Sequence, residues 1–351
     1  MAVLPLFSCL FMERFSALMR RLAIEPYTLA LLGMVVLASF LPASGEVADI
    51  LGNVTTFAIG LLFFLHGAKL SREAIVAGLL HWRLHLLVLA STFVMFPLMG
   101  LAIKPLALGL LTPDLYLGIL FLCVLPSTVP SSIAFTAMPP GTVAAAVCSA
   151  SASNFLGIFL TPLLVGALIV HGAGDAGFGW SQVLSIVEQL LLPFLAGQLL
   201  RPWIGAFIDR YKPVLRYVDQ GSILLVVYTA FSESVTEGLW QHVSGATLAA
   251  LLGICALMLA VALGLATWTS RRLGFSKEDE ITIVFCGSKK SLATGVPMAK
   301  VLFAPSALGM IILPVMLFHQ IQLMVCAVLA QRWARRVEQP AAVSVESQGQ
   351  V

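Results

Sequence analysis

Apolar stretches alternate along this chain with short polar joints, and a helix needs about 20 mostly apolar residues to cross a bilayer. Ten such stretches can be marked, approximately 27–44, 50–68, 84–105, 115–137, 140–170, 181–201, 219–235, 246–270, 279–301 and 306–331. The fourth and ninth are broken by polar and helix-breaking residues, LPSTVPSSIAFT at 125–136 and FCGSKKSLATG at 285–295. The fifth is long enough to tilt or to begin outside the hydrocarbon. Spans three and eight are long and apolar, and each leads through a polar loop into an interrupted span. Spans five and ten each carry an amide well inside the apolar run, Asn154 and Gln320.

These correspondences divide the chain into halves of five spans, and an odd number per half inserts the second half upside down. The pattern predicts an all-α polytopic membrane protein of ten transmembrane helices. They form two inverted five-helix repeats, 27–170 and 181–331, with broken helices 4 and 9 crossing. Inverted repeats with breaks at corresponding positions point to a transporter site near the midplane. Residues 1–26 read as an N-terminal interfacial segment, and 337–351 as a polar, disordered cytoplasmic tail. Arg14, Arg20 and Arg21 follow the first apolar run instead of preceding it, the reverse of a signal peptide, and Met12 is an alternative start.

Composition agrees with a membrane chain: 59% of the residues are hydrophobic and 11% charged, with a mean hydropathy of +0.98. A soluble domain carries about 25% charged residues. The net charge of +3 gives no reason to expect a nucleic acid partner. The placement of charge is more informative. Of 20 Lys and Arg residues, 16 fall at the two termini or in the even-numbered loops, which puts both ends in the cytoplasm. A miscounted helix would scramble that partition. Short loops without an organelle signal suit a bacterial inner membrane, with the lipid bilayer as the obligatory partner. The six cysteines show no paired spacing, so neither a disulfide framework nor a zinc site is expected. The absence of HExxH, of a membrane aspartate pair and of GxxxxGK[ST] argues against an intramembrane enzyme and against ATP coupling.

The chemistry concentrates at the two interruptions. Lys289 and Lys290 stand inside ITIVFCGSKKSLATGVPMA, 281–299, where a charge costs at least roughly 2.5 kcal/mol and by default marks a functional site. Gly287 and Ser288 allow a helix to break beside them. Pro126 and Pro130 account for the other break, since proline removes a donor and clashes with the preceding turn. Broken helices expose partly negative carbonyls at one end and partly positive N–H groups at the other. Ser127, Thr128, Ser131 and Ser132 can cap those groups or coordinate a hard cation, although a proline kink satisfied by neighbouring hydroxyls would use the same residues. Of Ser149, Ser151 and Ser153, at most two can share a face with one site. His319 and His66 are single intramembrane imidazoles, either hydrogen-bonded structural groups or proton relays. Glu188 and Glu233 lie nearer helix ends, where snorkelling or capping suffices.

The chain resembles the bile acid:sodium symporter family, and more closely its SBF-like branch within the cation/proton antiporter superfamily. The resemblance rests on GLLFFLHGAKLS in span two, STFVMFPLMG in span three and LPSTVPSSI in span four. It continues through LGFSKEDEITIVFCGSKKSLATG and the FHQI of span ten, so it covers spans two to ten. It implies a panel of spans one, two, six and seven beside a core of three to five and eight to ten, with alternating access by movement between them. In sodium-coupled members the ion is held by polar residues on spans three, four, five and nine. By position Ser131 and Ser132 match a serine–asparagine pair that holds sodium, and Thr92 falls where span three supplies a glutamine.

On span nine the family pattern is roughly E-x-G-x-Q-N, where this chain has Phe285, Cys286, Gly287, Ser288, Lys289 and Lys290. A carboxylate is lost and two ammonium groups are gained, which disfavours sodium by repulsion. A lysine ammonium can instead take the place of a sodium ion on the half-helix carbonyls. A buried lysine titrates readily, so a proton-linked cycle is chemically open. The expected ion and substrate site comprises Thr92, Ser127, Thr128, Ser131, Ser132, Asn154, Gly287, Ser288, Lys289, Lys290, Ser291, His319 and Gln320. The expected function is secondary active transport of a small organic anion, with sodium or a proton as coupling ion and no other cofactor. A cation/proton antiporter without organic substrate and a non-transport regulatory membrane protein remain the alternatives.

Overall fold

Caps and helix breakers divide the chain where its polar pattern changes. The computed structural model describes residues 26–69, 81–170, 187–236 and 238–346, and every regular element among them is helical. The expected interfacial segment falls almost wholly outside these residues, as does the start of span six. Pro26 opens α1 (Pro26–Phe40), and Gly45, with φ of 58°, turns the chain into α2 (Glu46–Lys69). Glu46 and Asp49 in the first turn of α2, and His66 and Lys69 in its last, complement the helix dipole. Next, α3 (Trp82–Ala90) runs through a π-helical turn at Ser91–Met95 into α4 (Phe96–Ala102), followed by α5 (Lys104–Leu110). The fourth expected span is split into α6 (Pro113–Val124), N-capped by Thr112, and α7 (Pro130–Ala137). It is followed by α8 (Val143–Val165).

The second half holds α9 (Leu192–Arg210), α10 (Lys212–Thr236), the short α11 (Leu239–His242) and α12 (Gly245–Arg272), N-capped by Ser244. The ninth expected span is again split, into α13 (Lys277–Gly287) and α14 (Leu292–Leu302), N-capped by Ser276 and Ser291. The last helix, α15, covers Leu308–Glu346. Its backbone therefore stays helical past residue 337, where the polar tail was expected to begin. The run AQRWARRVEQ at 330–339 explains this, because Ala, Gln, Arg and Glu are strong helix formers even in polar surroundings.

Among the described residues six helices are long and apolar enough to cross a membrane: Glu46–Lys69, Trp82–Ala102, Val143–Ile169, Glu188–Arg210, Gly245–Arg272 and Pro305–Arg335. The other four expected spans are shorter, more polar or divided: α1, α6 with α7, α10, and α13 with α14. Large apolar side chains point outward, Phe57 and Leu199 each being 72% exposed, as suits hydrocarbon and not water.

Helices α1, α2, α9 and α10 pack with one another, the grouping that the resemblance assigns to the panel. The α2–α9 contact is backbone on backbone. A Cβ on Gly67 would strike the Phe194 carbonyl, and one on Gly197 would strike the Phe64 carbonyl. Such close approach replaces the hydrophobic drive that is absent between helices in lipid. The remaining long helices surround the two breaks, with Phe96 edge-on to Phe318 and Phe121 edge-on to Phe303 inside.

Candidate functional site

The two breaks meet each other through their main chains. Leu125 turns extended after α6, and the Ser291 N–H donates to the Pro126 carbonyl at 2.8 Å. Hydroxyls of the first break then cap the end of α13. Ser127 Oγ donates to the Cys286 carbonyl at 2.6 Å, and Ser132 Oγ to that of Phe285 at 3.2 Å. Thr128 Oγ1 joins the hydroxyls of Ser131, at 2.6 Å, and Ser132, at 3.3 Å. From α8, Asn154 ties both breaks together: its Nδ2 donates to Ser127 O at 2.6 Å, while its Oδ1 accepts from Thr294 Oγ1 at 2.8 Å. Ser153 Oγ accepts from the Ser127 N–H, and Ser149, one turn earlier, bonds His85 instead. Ser151 is only half-buried. Two glycines permit these approaches: a Cβ on Gly157 would lie 2.8 Å from Pro126 Cβ, and one on Gly287 would lie 3.0 Å from Ser91 Cβ.

Both lysines turn inward. Lys290 Nζ donates to three main-chain carbonyls, Thr92 at 2.8 Å, Cys123 at 2.8 Å and Leu125 at 2.7 Å, and sits 4.3 Å from the centre of the Phe96 ring. Cys123 and Leu125 are at the C-terminal, partly negative end of α6. The Thr92 carbonyl is within the π-helical turn, a distortion that leaves carbonyls available and is frequent at functional sites. Hydrogen bonds to a charged donor contribute about 1.5–3 kcal/mol each, and the ring adds a cation–π term. Lys289 Nζ donates to the Ser131 carbonyl at 2.7 Å and lies 4.0 Å from the Phe135 ring centre. Ser288 is buried, with its hydroxyl on the Val284 carbonyl. Ser291 Oγ caps α14 through the Thr294 N–H.

The Lys290 main chain is held from α15. Gln322 accepts from the Lys290 N–H and donates to its carbonyl, both at 2.9 Å, and its Nε2 lies 2.9 Å from His319 Nδ1. Gln322, not Gln320, is thus the glutamine at the crossing; Gln320 is half-buried beside it. The signal was present in the sequence: residues 319 and 322 are three apart and share a helix face, whereas 320 is turned about 100° away. Two other features were missed. Phe96 and Phe135 serve as ring partners, and Glu233 is engaged with Lys300 of α14 at 3.0 Å instead of capping its own helix. Glu188 is exposed and away from the crossing.

A cavity of about 420 Å³ separates the breaks from the α1–α2–α10 wall. Thr128, Ser131, Asn154, Ser291, Thr294 and His319 line one side, and Tyr27, His66, Arg216, Asp219 and Gln220 the other. His66 Nδ1 lies 2.9 Å from the Leu62 carbonyl, and Asp219 is ion-paired with Lys69. The Tyr27 hydroxyl and Asp219 Oδ1 have no hydrogen-bond partner among the described residues. Thr92, Lys289 and Lys290 stand behind this surface and not on it.

A chain whose described elements are all helical, with several apolar spans, two divided helices bound to each other and a polar cavity beside them, has the build of a membrane transporter. Comparison with known families gives the particular group: the chain belongs to the SBF-like CPA transporter family, whose sequence profile matches residues 25–335. It is 65% identical over 323 residues to an uncharacterised protein of Pseudomonas aeruginosa, covering 92% of this chain and 97% of that one. It is 57% identical over 320 residues to YfeH of Escherichia coli, a candidate symporter by name, covering 90% and 95%. It is 29% identical over 321 residues to sodium/bile acid cotransporter 7-B of Xenopus laevis, covering 89% and 92%. The chain is therefore an integral membrane protein of a transporter family related to the sodium/bile acid symporters.

Proposed function

We propose that the protein is a secondary active transporter that moves a small organic anion by alternating access, with Lys290 as a built-in cation where relatives bind sodium. The observation that carries this reading is the Lys290 ammonium on the carbonyls of Thr92, Cys123 and Leu125. Those oxygens are the kind that would hold a sodium ion, and a resident positive charge among them repels one. Ser131 and Ser132, the other expected sodium ligands, have their hydroxyls engaged within the crossing, and Lys289 adds a second ammonium at Ser131 O. A lysine can release and regain a proton, so the coupling ion in this reading is H⁺.

The anionic substrate is supported by three positive features around the cavity. Arg216 lines it, the N-terminus of α14 opens onto it, and Lys289 lies one carbonyl behind its Ser131 wall. In this reading the ten spans form two inverted five-helix repeats, 27–170 and 181–331, in a bacterial inner membrane with both termini cytoplasmic. Uptake or solid-supported-membrane current in proteoliposomes tests it, with a panel of organic anions under sodium and proton gradients in turn. The expected result is a sodium-independent, pH-dependent current that disappears in Lys289→Gln/Lys290→Asn. A wild-type current that requires sodium would overturn the coupling scheme. A proton-driven cation flux with no response to any anion would favour the antiporter alternative.

A further inference from the structure

A groove separate from the cavity lies on the outer face, between α12 and α15. Its volume is about 960 Å³, with Leu263, Gly264, Val325 and Val328 along its apolar part. Gly264 faces its open space, since a Cβ there would meet nothing within 4 Å. At one end stand Arg271, Arg272 and Arg332 with Trp268 and Trp333. The groove extends over residues 263–272 of one helix and 324–333 of the other. At 1.5 Å per residue that is about 14 Å, close to half of a hydrocarbon core about 30 Å thick. The whole groove, charged end included, therefore spans about the depth of one leaflet, with the arginines and tryptophans at the end where headgroups begin.

The charge at that end is unbalanced. Arg271 and Lys277 both pair with Glu280, and Lys277 also lies over the Trp333 ring. Arg272 lies over the Trp268 ring, and among the described residues neither it nor Arg332 is paired with a carboxylate. Arg271 and Lys277 thus share one carboxylate, and Arg272 and Arg332 add two further cations at the mouth of a lipid-facing groove. A neutral lipid gains nothing from such an arrangement, whereas a phosphodiester without a choline cation offers the missing charge. We infer that this groove is a specific site for an anionic phospholipid, its phosphate on Arg272 and Arg332 and one acyl chain over Gly264. The lipid's headgroup then adjoins Arg271 and Glu280, which tie α12 to the divided span at α13.

The test compares phosphatidylglycerol with phosphatidylcholine on the full chain purified in detergent, by native mass spectrometry and thermal unfolding. Wild type should retain phosphatidylglycerol at least threefold over phosphatidylcholine and gain thermal stability from it. Arg272→Gln/Arg332→Gln should abolish the preference. Gly264→Leu, which fills the groove and leaves every charge in place, should lower retention of both lipids. Equal retention of the two lipids by wild type would overturn the proposal, as would an unchanged preference in the arginine variant. So would an equal thermal shift from inorganic phosphate alone, which would mean an anion site without a lipid. Loss of a dimer in Gly264→Leu, with lipid retention unaltered, would assign the groove to a second copy and likewise overturn it.

Discussion

The Lys290 ammonium lies 2.7 Å from the Leu125 carbonyl oxygen, so one divided helix carries the cation that fills the break in the other. The two breaks are also joined by the Ser291–Pro126 main-chain bond and by the hydroxyls of Ser127 and Ser132. Sequence positions more than 150 apart thus form one polar junction, and it can be taken apart one group at a time.

Lys290→Met removes the donor and leaves three buried carbonyls facing a thioether. Thermal or denaturant unfolding in detergent should show a loss of about 1–3 kcal/mol, the cost of leaving buried acceptors unsatisfied. Lys290→Asn keeps a donor and vacates the centre of the carbonyl cluster. Sodium chloride should then raise its melting temperature above that in matched choline chloride, while wild type shows no difference between the salts.

Gln322→Leu should cost about 1–3 kcal/mol, because it removes the partner of the buried Lys290 N–H and leaves the carbonyl only His319 Nδ1 at 3.5 Å. Gln320→Leu should stay within about 0.5 kcal/mol of wild type. The same unfolding assay reads both, and equal losses would mean that the two amides had been ranked wrongly.

Ser127→Ala deletes the 2.6 Å bond to the Cys286 carbonyl and exposes the end of α13 to an apolar methyl. The expected penalty is about 1–2 kcal/mol. Because the hydroxyl joins the two divided helices, transport in proteoliposomes should fall by more than the loss of folded protein accounts for.

Lys300 and Glu233 bridge α14 to α10 on partly buried side chains, 15% and 30% exposed. Lys300→Ala should destabilise by about 1–2 kcal/mol, between the values for surface and buried pairs. The swap Lys300→Glu/Glu233→Lys should recover more than half of that. A double-mutant cycle on melting temperature measures the coupling, and a cycle showing none would remove the pair as a tie between the two helix groups.

Much of this architecture was legible because membrane insertion is severe about polarity. Lys289 and Lys290 stood out against their apolar surroundings, and Pro126 and Pro130 marked the first break through backbone chemistry alone. What escaped was geometry that depends on rotation about a helix axis. FHQIQL offers two glutamines, and only the register of α15 decides that Gln322 faces Lys290. Phe96 and Phe135 look like ordinary core residues until an ammonium is placed beside them. The helicity of 337–346 was masked by a polar composition that suits a tail as well as a helix extending from the membrane.

The π-helical turn at Ser91–Met95 carries a further consequence. Relative to an unbroken α-helix it holds one additional residue, so α3 is rotated by about 100° relative to α4. Removing a single residue there would let the segment relax into regular helix, draw the Thr92 oxygen back into its own ladder and swing Trp82–Ala90 off its present neighbours. The length of this helix, counted in residues, is therefore as binding a constraint as the identity of any side chain on it. Deletion would injure the crossing even though no group that touches Lys290 through its side chain had been altered.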